Sequence, residues 1–131
     1  MPFQCVIVTP DQQVLDEKCA QVVLPAHDGE MGILTDRAPL LVKLGVGALR
    51  LDLAAGSQKR TLFVDGGIAQ MKDNKLTILT RQAMAPEDID PVAAKAEYDE
   101  AAARKPTDEK AAAAREHALR RGRVLQEMGR K

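Results

Sequence analysis

The chain has 131 residues, 45% hydrophobic and 29% charged, with 19 basic and 19 acidic side chains and a formal net charge of +0. That length suits one domain, or one domain with an appendage, and the balanced charge argues against a general nucleic-acid binder. Aromatics make up only 2%, with no Trp, so a core must be aliphatic and there is no stacking platform for single-stranded nucleic acid.

No apolar run is long enough to span a bilayer. The start, Met-Pro-Phe-Gln-Cys-Val, lacks the basic region and cleavage site of a secretory signal. The expectation is a cytosolic chain in which Cys5 and Cys19 are reduced core thiols. Two cysteines are too few for a paired-Cys metal site.

Residues 3–8 form a short, β-branched apolar run, the composition of a buried strand. Thr9-Pro10-Asp11 is turn chemistry, and residues 14–24 are a second strand region. Residues 24–41 follow, bracketed by Pro25 and Pro39, with Gly29 and Gly32 three apart around Glu30 and Met31. Glycine reaches positive φ cheaply and proline fixes it, so this stretch predicts a specified, tight backbone path that projects polar groups from a scaffold. Residues 40–43 make another strand. In residues 48–54, Leu49, Leu51 and Leu53 alternate with Arg50 and Asp52, a period of two. Residues 61–65 and 68–72 are strands separated by a bulge or bend at Gly66-Gly67. Asp73-Asn74 makes a two-residue hairpin connection into residues 76–79. Many short strands with regular turn signals predict a β-sandwich or barrel.

The pattern changes after Met84. Asp90 is an N-cap candidate with Pro91 in the first turn of a helix that Lys105-Pro106 ends. Thr107 is the N-cap candidate of a second helix running from about residue 108 to about 128. Ala111, Ala114, Ala118, Leu125 and Met128 lie at helical spacing on one face. Together these elements predict an N-terminal antiparallel β-sandwich, or flattened barrel, over residues 1–84. A C-terminal antiparallel two-helix hairpin covers residues 85–131. Alanine buries little area, so docking of the hairpin on the sandwich is expected to be marginal, as a conformational switch requires.

His27, Asp28 and Glu30 form no metal or acid–base site, because one His with two acids shows no supporting shell. Gly29 and Gly32 lack the Gly-Lys-Ser or Gly-Lys-Thr ending of a phosphate cradle, so they belong to a turn. No Ser-His-Asp or Cys-His arrangement accompanies His27 or His117. No catalytic residue, metal ligand or cofactor is expected.

Several blocks, in order, carry a resemblance. Leu-Pro-Ala-His-Asp-Gly-Glu-Met-Gly-Ile-Leu at 24–34 precedes Ala-Pro-Leu-Leu at 38–41 and Leu-Gly-Val-Gly-Ala-Leu at 44–49. Val-Asp-Gly-Gly at 64–67 and Leu-Thr-Ile-Leu-Thr at 76–80 follow. The set resembles the epsilon subunit of bacterial F-type ATP synthases over nearly the whole chain. The resemblance implies a non-catalytic central-stalk subunit of a proton-translocating rotary ATP synthase. It would couple the gamma subunit and the c-subunit ring to the catalytic alpha and beta subunits, and inhibit ATP hydrolysis through its C-terminal helices. It would be peripheral, on the cytoplasmic face of the bacterial plasma membrane, and membrane-associated only through the complex.

By the same resemblance, Glu30, Asp36 and Arg37 face the c-ring, with Arg37 where the family usually has His. Arg115, Arg120, Arg121 and Arg123 would meet an acidic motif of the beta subunit. Some bacterial members bind ATP through Ile or Leu, Asp, two variable residues, then Arg-Ala. Here Ile89 and Asp90 match, but Ala93 replaces the arginine, so ATP binding is expected to be weak or absent. The alternative is a stand-alone small-ligand or nucleotide-binding β-sandwich with a helical lid.

Overall fold

The period of two in residues 49–53 holds in three dimensions: Leu49, Leu51 and Leu53 are buried and Arg50 is exposed. In the computed structural model, which describes residues 2–26, 28–34, 38–54 and 58–129, this alternation belongs to a long strand. The strands in chain order are β1 (Phe3–Val8), β2 (Gln13–Ala26), β3 (Gly29–Leu34) and β4 (Leu40–Leu53). After them come β5 (Lys59–Lys72), β6 (Lys75–Leu79) and the two-residue β7 (Ala83–Met84).

The sheet order is β1-β6-β5-β4-β2-β3, and an additional β1–β2 pairing joins the first strand back to β2, closing a flattened barrel. The β1–β6 ladder is parallel and the other resolved ladders are antiparallel. Closure leaves few free edges, which the short length of β3 further limits. Phe3, Ile7, Val22, Leu24, Ile33, Leu49, Leu51, Phe63, Val64, Met71, Leu76 and Ile78 are its largest fully buried side chains. An aliphatic core with two Phe follows from the composition.

Three details differ from the sequence expectation. Residues 59–72 are one continuous strand, with Gly66 (φ 68) and Gly67 (φ 109) inside it. A Cβ at Gly67 would collide with the Leu79 carbonyl and lie 2.8 Å from the Thr80 Cα, so only glycine fits against the main chain at the end of β6. Most of the polar stretch after Leu24 is a β2–β3 hairpin rather than a loop, paired from Gln21↔Leu34 to Ala26↔Gly29. Of its two glycines, Gly29 has the positive φ, 138°. Asp73 and Asn74 both take positive φ, as a two-residue hairpin turn requires.

The chain divides into two compact units, Met1–Ala83 and Met84–Lys131. In the second, a 3₁₀ turn at Pro86–Asp88 precedes α1 (Pro91–Ala102) and α2 (Glu109–Met128). The Asp90 carboxylate accepts from the Val92 and Ala93 amides at 3.0 and 3.3 Å. The second helix is capped by Asp108, not Thr107: its carboxylate accepts from the Ala111 amide at 2.7 Å. The inward face of α2 is Leu119, Gly122 and Leu125, while Ala114 is exposed. Gly122 sets that rotation. A Cβ there would lie 2.9 Å from the Tyr98 Cβ and 3.4 Å from the Ala94 carbonyl oxygen, so the approach of the helices at this point needs a residue without a side chain.

Candidate functional site

Among the described residues, no three His, Cys, Asp or Glu side chains gather as a metal-binding group. Cys5 and Cys19 are free and fully buried on the paired strands β1 and β2. The hydrogen bond between them pushes the Cys5 thiol up, as burial also does, and the Cys19 thiol down, and both are closed to solvent. The functional candidates are therefore surfaces.

The first is the β2–β3 hairpin. Glu30 lies on β3, opposite Pro25, and is exposed. Both its carboxylate oxygens accept from the Arg50 guanidinium on β4, at 3.0 and 3.3 Å. This fork is bidentate but exposed, 51% at Arg50 and 58% at Glu30, so it orients Glu30 more than it stabilises the sheet. The two residues expected beside Glu30 on a partner-facing surface, Asp36 and Arg37, lie outside the described residues, as does His27. Arg50, twenty positions from Glu30, was not legible as its partner, because the pairing depends on β4 register.

The second is the helical hairpin, whose four expected contact arginines separate into two pairs. The Arg115 Nη2 donates to the Ala102 carbonyl oxygen at 3.1 Å, placing a cation at the negative end of α1. Arg121 reaches Glu97 of α1 at 2.6 Å with its side chain only 20% exposed. Arg120 and Arg123 are exposed. Pairings of 115 with 102 and 121 with 97 run in opposite order along the two helices, as an antiparallel hairpin requires. Glu97, Tyr98 and Gly122 were not singled out from the sequence. A glycine at mid-helix in an alanine-rich stretch was the available signal.

The third is the start of α1. Ile89 is buried, with its Cγ2 3.0 Å from where a Gly129 Cβ would stand, and Asp90 is occupied as a cap. Further along the hairpin, an open groove of about 500 Å³ runs between the helices, lined by Lys95, Tyr98, Asp99, Arg123, Gln126 and Glu127. Lys95 and Asp99, one turn apart on α1, pair along its α1 side at 2.8 Å.

Comparison with known proteins gives these surfaces a context. Residues 2–86 match the family model of the ATP synthase Delta/Epsilon chain β-sandwich domain. The ATP synthase epsilon chain of Rhodopirellula baltica is 41% identical over 90 residues, 69% of this chain and 69% of that protein. The epsilon chain of Nitratidesulfovibrio vulgaris is 45% identical over 84 residues, 64% of this chain and 61% of that one. A chain in the cryo-EM structure of the Euglena gracilis mitochondrial ATP synthase, comprising OSCP, F1 and c-ring, superposes with a TM-score of 0.83. It is 26% identical, and the match covers 96% of this chain and 80% of that one. A chain of the Tetrahymena thermophila central stalk and c-ring shares the fold, with a TM-score of 0.76 at 11% identity, over 96% of this chain and 95% of that one. With its β-sandwich matched from residue 2 to residue 86 and two helices after it, the chain belongs to the ATP synthase Delta/Epsilon chain family as an epsilon subunit.

Proposed function

We propose that this chain is a non-catalytic coupling subunit of the central stalk of a rotary ATP synthase. The observation that carries the reading is the agreement of almost the whole chain, hairpin included, with a chain from an F1 and c-ring assembly. The sandwich binds the gamma subunit and rests on the c-subunit ring, so rotation driven by proton flow passes through protein contacts. The hairpin regulates ATP hydrolysis by reaching toward the alpha and beta subunits. Membrane attachment is peripheral, on the cytoplasmic face and through the complex; no helix among the described residues is long and apolar enough to cross a bilayer.

On this reading Glu30, with Asp36 and Arg37, faces the c-ring. The Arg50 fork supports that role by holding the Glu30 carboxylate outward on a rigid strand pair. Exposed Arg120 and Arg123 supply the free cations for an acidic beta-subunit motif. The hairpin is poorly suited to ATP: Asp90 is a helix cap and the groove between the helices carries carboxylates.

The test is co-purification of the tagged full chain from membranes. Recovery of gamma, alpha, beta and c subunits, and crosslinks from Glu30→Cys to a c subunit, are expected. Recovery of none of these subunits overturns the reading. Crosslinks to alpha or beta alone reverse the orientation.

A further inference from the structure

Cys5 and Cys19 are the only two cysteines of the chain, and no role proposed above uses them. Both are fully buried. The β1–β2 ladder sets Cys5 opposite Glu17 and Cys19 opposite Phe3. The two cysteines are therefore diagonal neighbours on adjacent strands, and their side chains leave the ladder on the same side. The Cys5 thiol hydrogen-bonds with that of Cys19. The Cys19 Sγ also donates to the Glu17 carbonyl oxygen at 3.9 Å.

The surroundings are apolar. Across the neighbouring ladders Cys5 faces Leu76 of β6, and Cys19 faces Leu53 of β4. Phe3, Leu53 and Leu76 are themselves buried. At one place the pair lies close to the surface. An open cleft of about 580 Å³ has Glu17 and Leu53, the ladder partners of Cys5 and Cys19, in its lining. A small ion entering that cleft is one residue layer from the sulfurs.

Spacing decides what the pair can hold. A disulfide needs Cα atoms within about 6.8 Å, whereas diagonal neighbours on an antiparallel ladder stand about 7–8 Å apart. Forming that bond would move the backbone. Two metal–sulfur bonds of about 2.3 Å laid end to end part the sulfurs by ~4.6 Å, which side-chain rotation reaches from a thiol–thiol hydrogen bond. Zinc takes four ligands, and calcium and magnesium take oxygen, so two sulfurs suit a soft ion that coordinates in line. Charge sets its valence. With two thiolates a divalent ion makes a neutral unit. A monovalent ion such as copper(I) leaves a net negative charge in the core, which burial penalises.

We infer that Cys5 and Cys19 form a two-thiolate site for a soft, linearly coordinated divalent cation, with mercury(II) as its type. On binding, both S–H bonds break and two metal–sulfur bonds form. Two protons leave to solvent through the cleft, and no electron changes hands. The bound ion ties the first strand to the second from inside the barrel. The site lies within the sandwich and needs no partner, so it stands apart from the reading of the chain as a stalk subunit.

The test uses the purified, reduced full chain with mercury(II) chloride as the probe. One mercury per chain is expected, with two sulfur neighbours in line by X-ray absorption and an unchanged circular dichroism spectrum. The folded chain should keep the ion against an excess of glutathione, because two thiols already held side by side act at a high effective concentration. Cys5→Ala and Cys19→Ala should each surrender it. Should either variant fail to fold, the sulfur count in the unmodified chain decides alone. Two mercuries per chain, a single sulfur neighbour, or loss of the ion to glutathione from the unmodified chain overturns the inference. Binding only with collapse of the dichroism spectrum also overturns it, because the sulfurs are then out of reach in the folded barrel. Formation of an intramolecular disulfide when the folded chain meets diamide would show the sulfurs closer than inferred; it assigns the pair to redox chemistry and overturns the metal site.

Discussion

Arg121 and Glu97 join the two helices through a 2.6 Å ion pair, one turn and a half from the Arg115–Ala102 contact. The basic segment of α2 is thereby divided by job. The inward arginines hold the hairpin together, and the outward ones are available to a partner.

Arg115→Ala and Arg121→Ala should each lower hairpin stability by about 1 kcal/mol, since neither site is fully buried. Arg120→Ala with Arg123→Ala should leave it within ~0.5 kcal/mol. In the assembled complex the second pair should raise ATP hydrolysis without a stability change. Thermal melts followed at 222 nm beside ATPase rates check the division; equal behaviour of the four single variants would remove it.

Gly122→Leu should separate the helices. The new side chain begins 2.9 Å from the Tyr98 Cβ, against main chain of α1 that cannot swing aside. The gain in helix propensity, about 1 kcal/mol, opposes an overpacking cost of about 1–3 kcal/mol, with the larger leucine at the upper end. Faster proteolysis between α1 and α2 than in the unmodified chain is the expected readout.

Gly67→Ala tests the β5–β6 junction. Positive φ alone costs an alanine about 1–3 kcal/mol, and here the methyl also strikes the Leu79 carbonyl. The sandwich should melt at a markedly lower temperature. A Gly29→Ala variant, whose Cβ meets nothing within 4 Å, should lose less despite its own positive φ.

ATP should bind the isolated chain weakly or not at all. The Asp90 carboxylate is engaged by two amides, and the groove lined by Arg123 also carries Asp99 and Glu127, which repel phosphate. Isothermal titration of the isolated chain decides this. A micromolar dissociation constant would mean that Arg120 or Arg123 has replaced the arginine missing at Ala93.

Acid should loosen the end of α1. Arg104 lies 2.6 Å from Glu100 and holds its carboxyl below the ordinary 4.5. A folded-state pKa below the unfolded one means the pair's contribution is present above about pH 4.5 and is lost as pH falls through the lowered value. The pair is exposed, so the effect is small and salt-screened. It should vanish in Glu100→Gln, read as helix content against pH.

The sequence alone determined the two-part architecture. Period-two leucines, glycine and Asp-Asn turns and the shift to alanine-rich helices are local signals, written within a few residues of where they act. It also placed Asp90 as a cap, since capping is a contact between a side chain and amides two and three positions on. Tertiary structure decided what depends on register and rotation. Glu30 meets Arg50 because β2, β3 and β4 align. The arginines divide because close approach at Gly122 turns α2 so that Leu119 and Leu125 face inward with it, rather than Ala114. The exposed cluster of Leu41, Ile68 and Leu79 exists because two ladders bring three separate strands side by side. A pattern along the chain reports which face a residue occupies, but only the packed elements determine which residues share it.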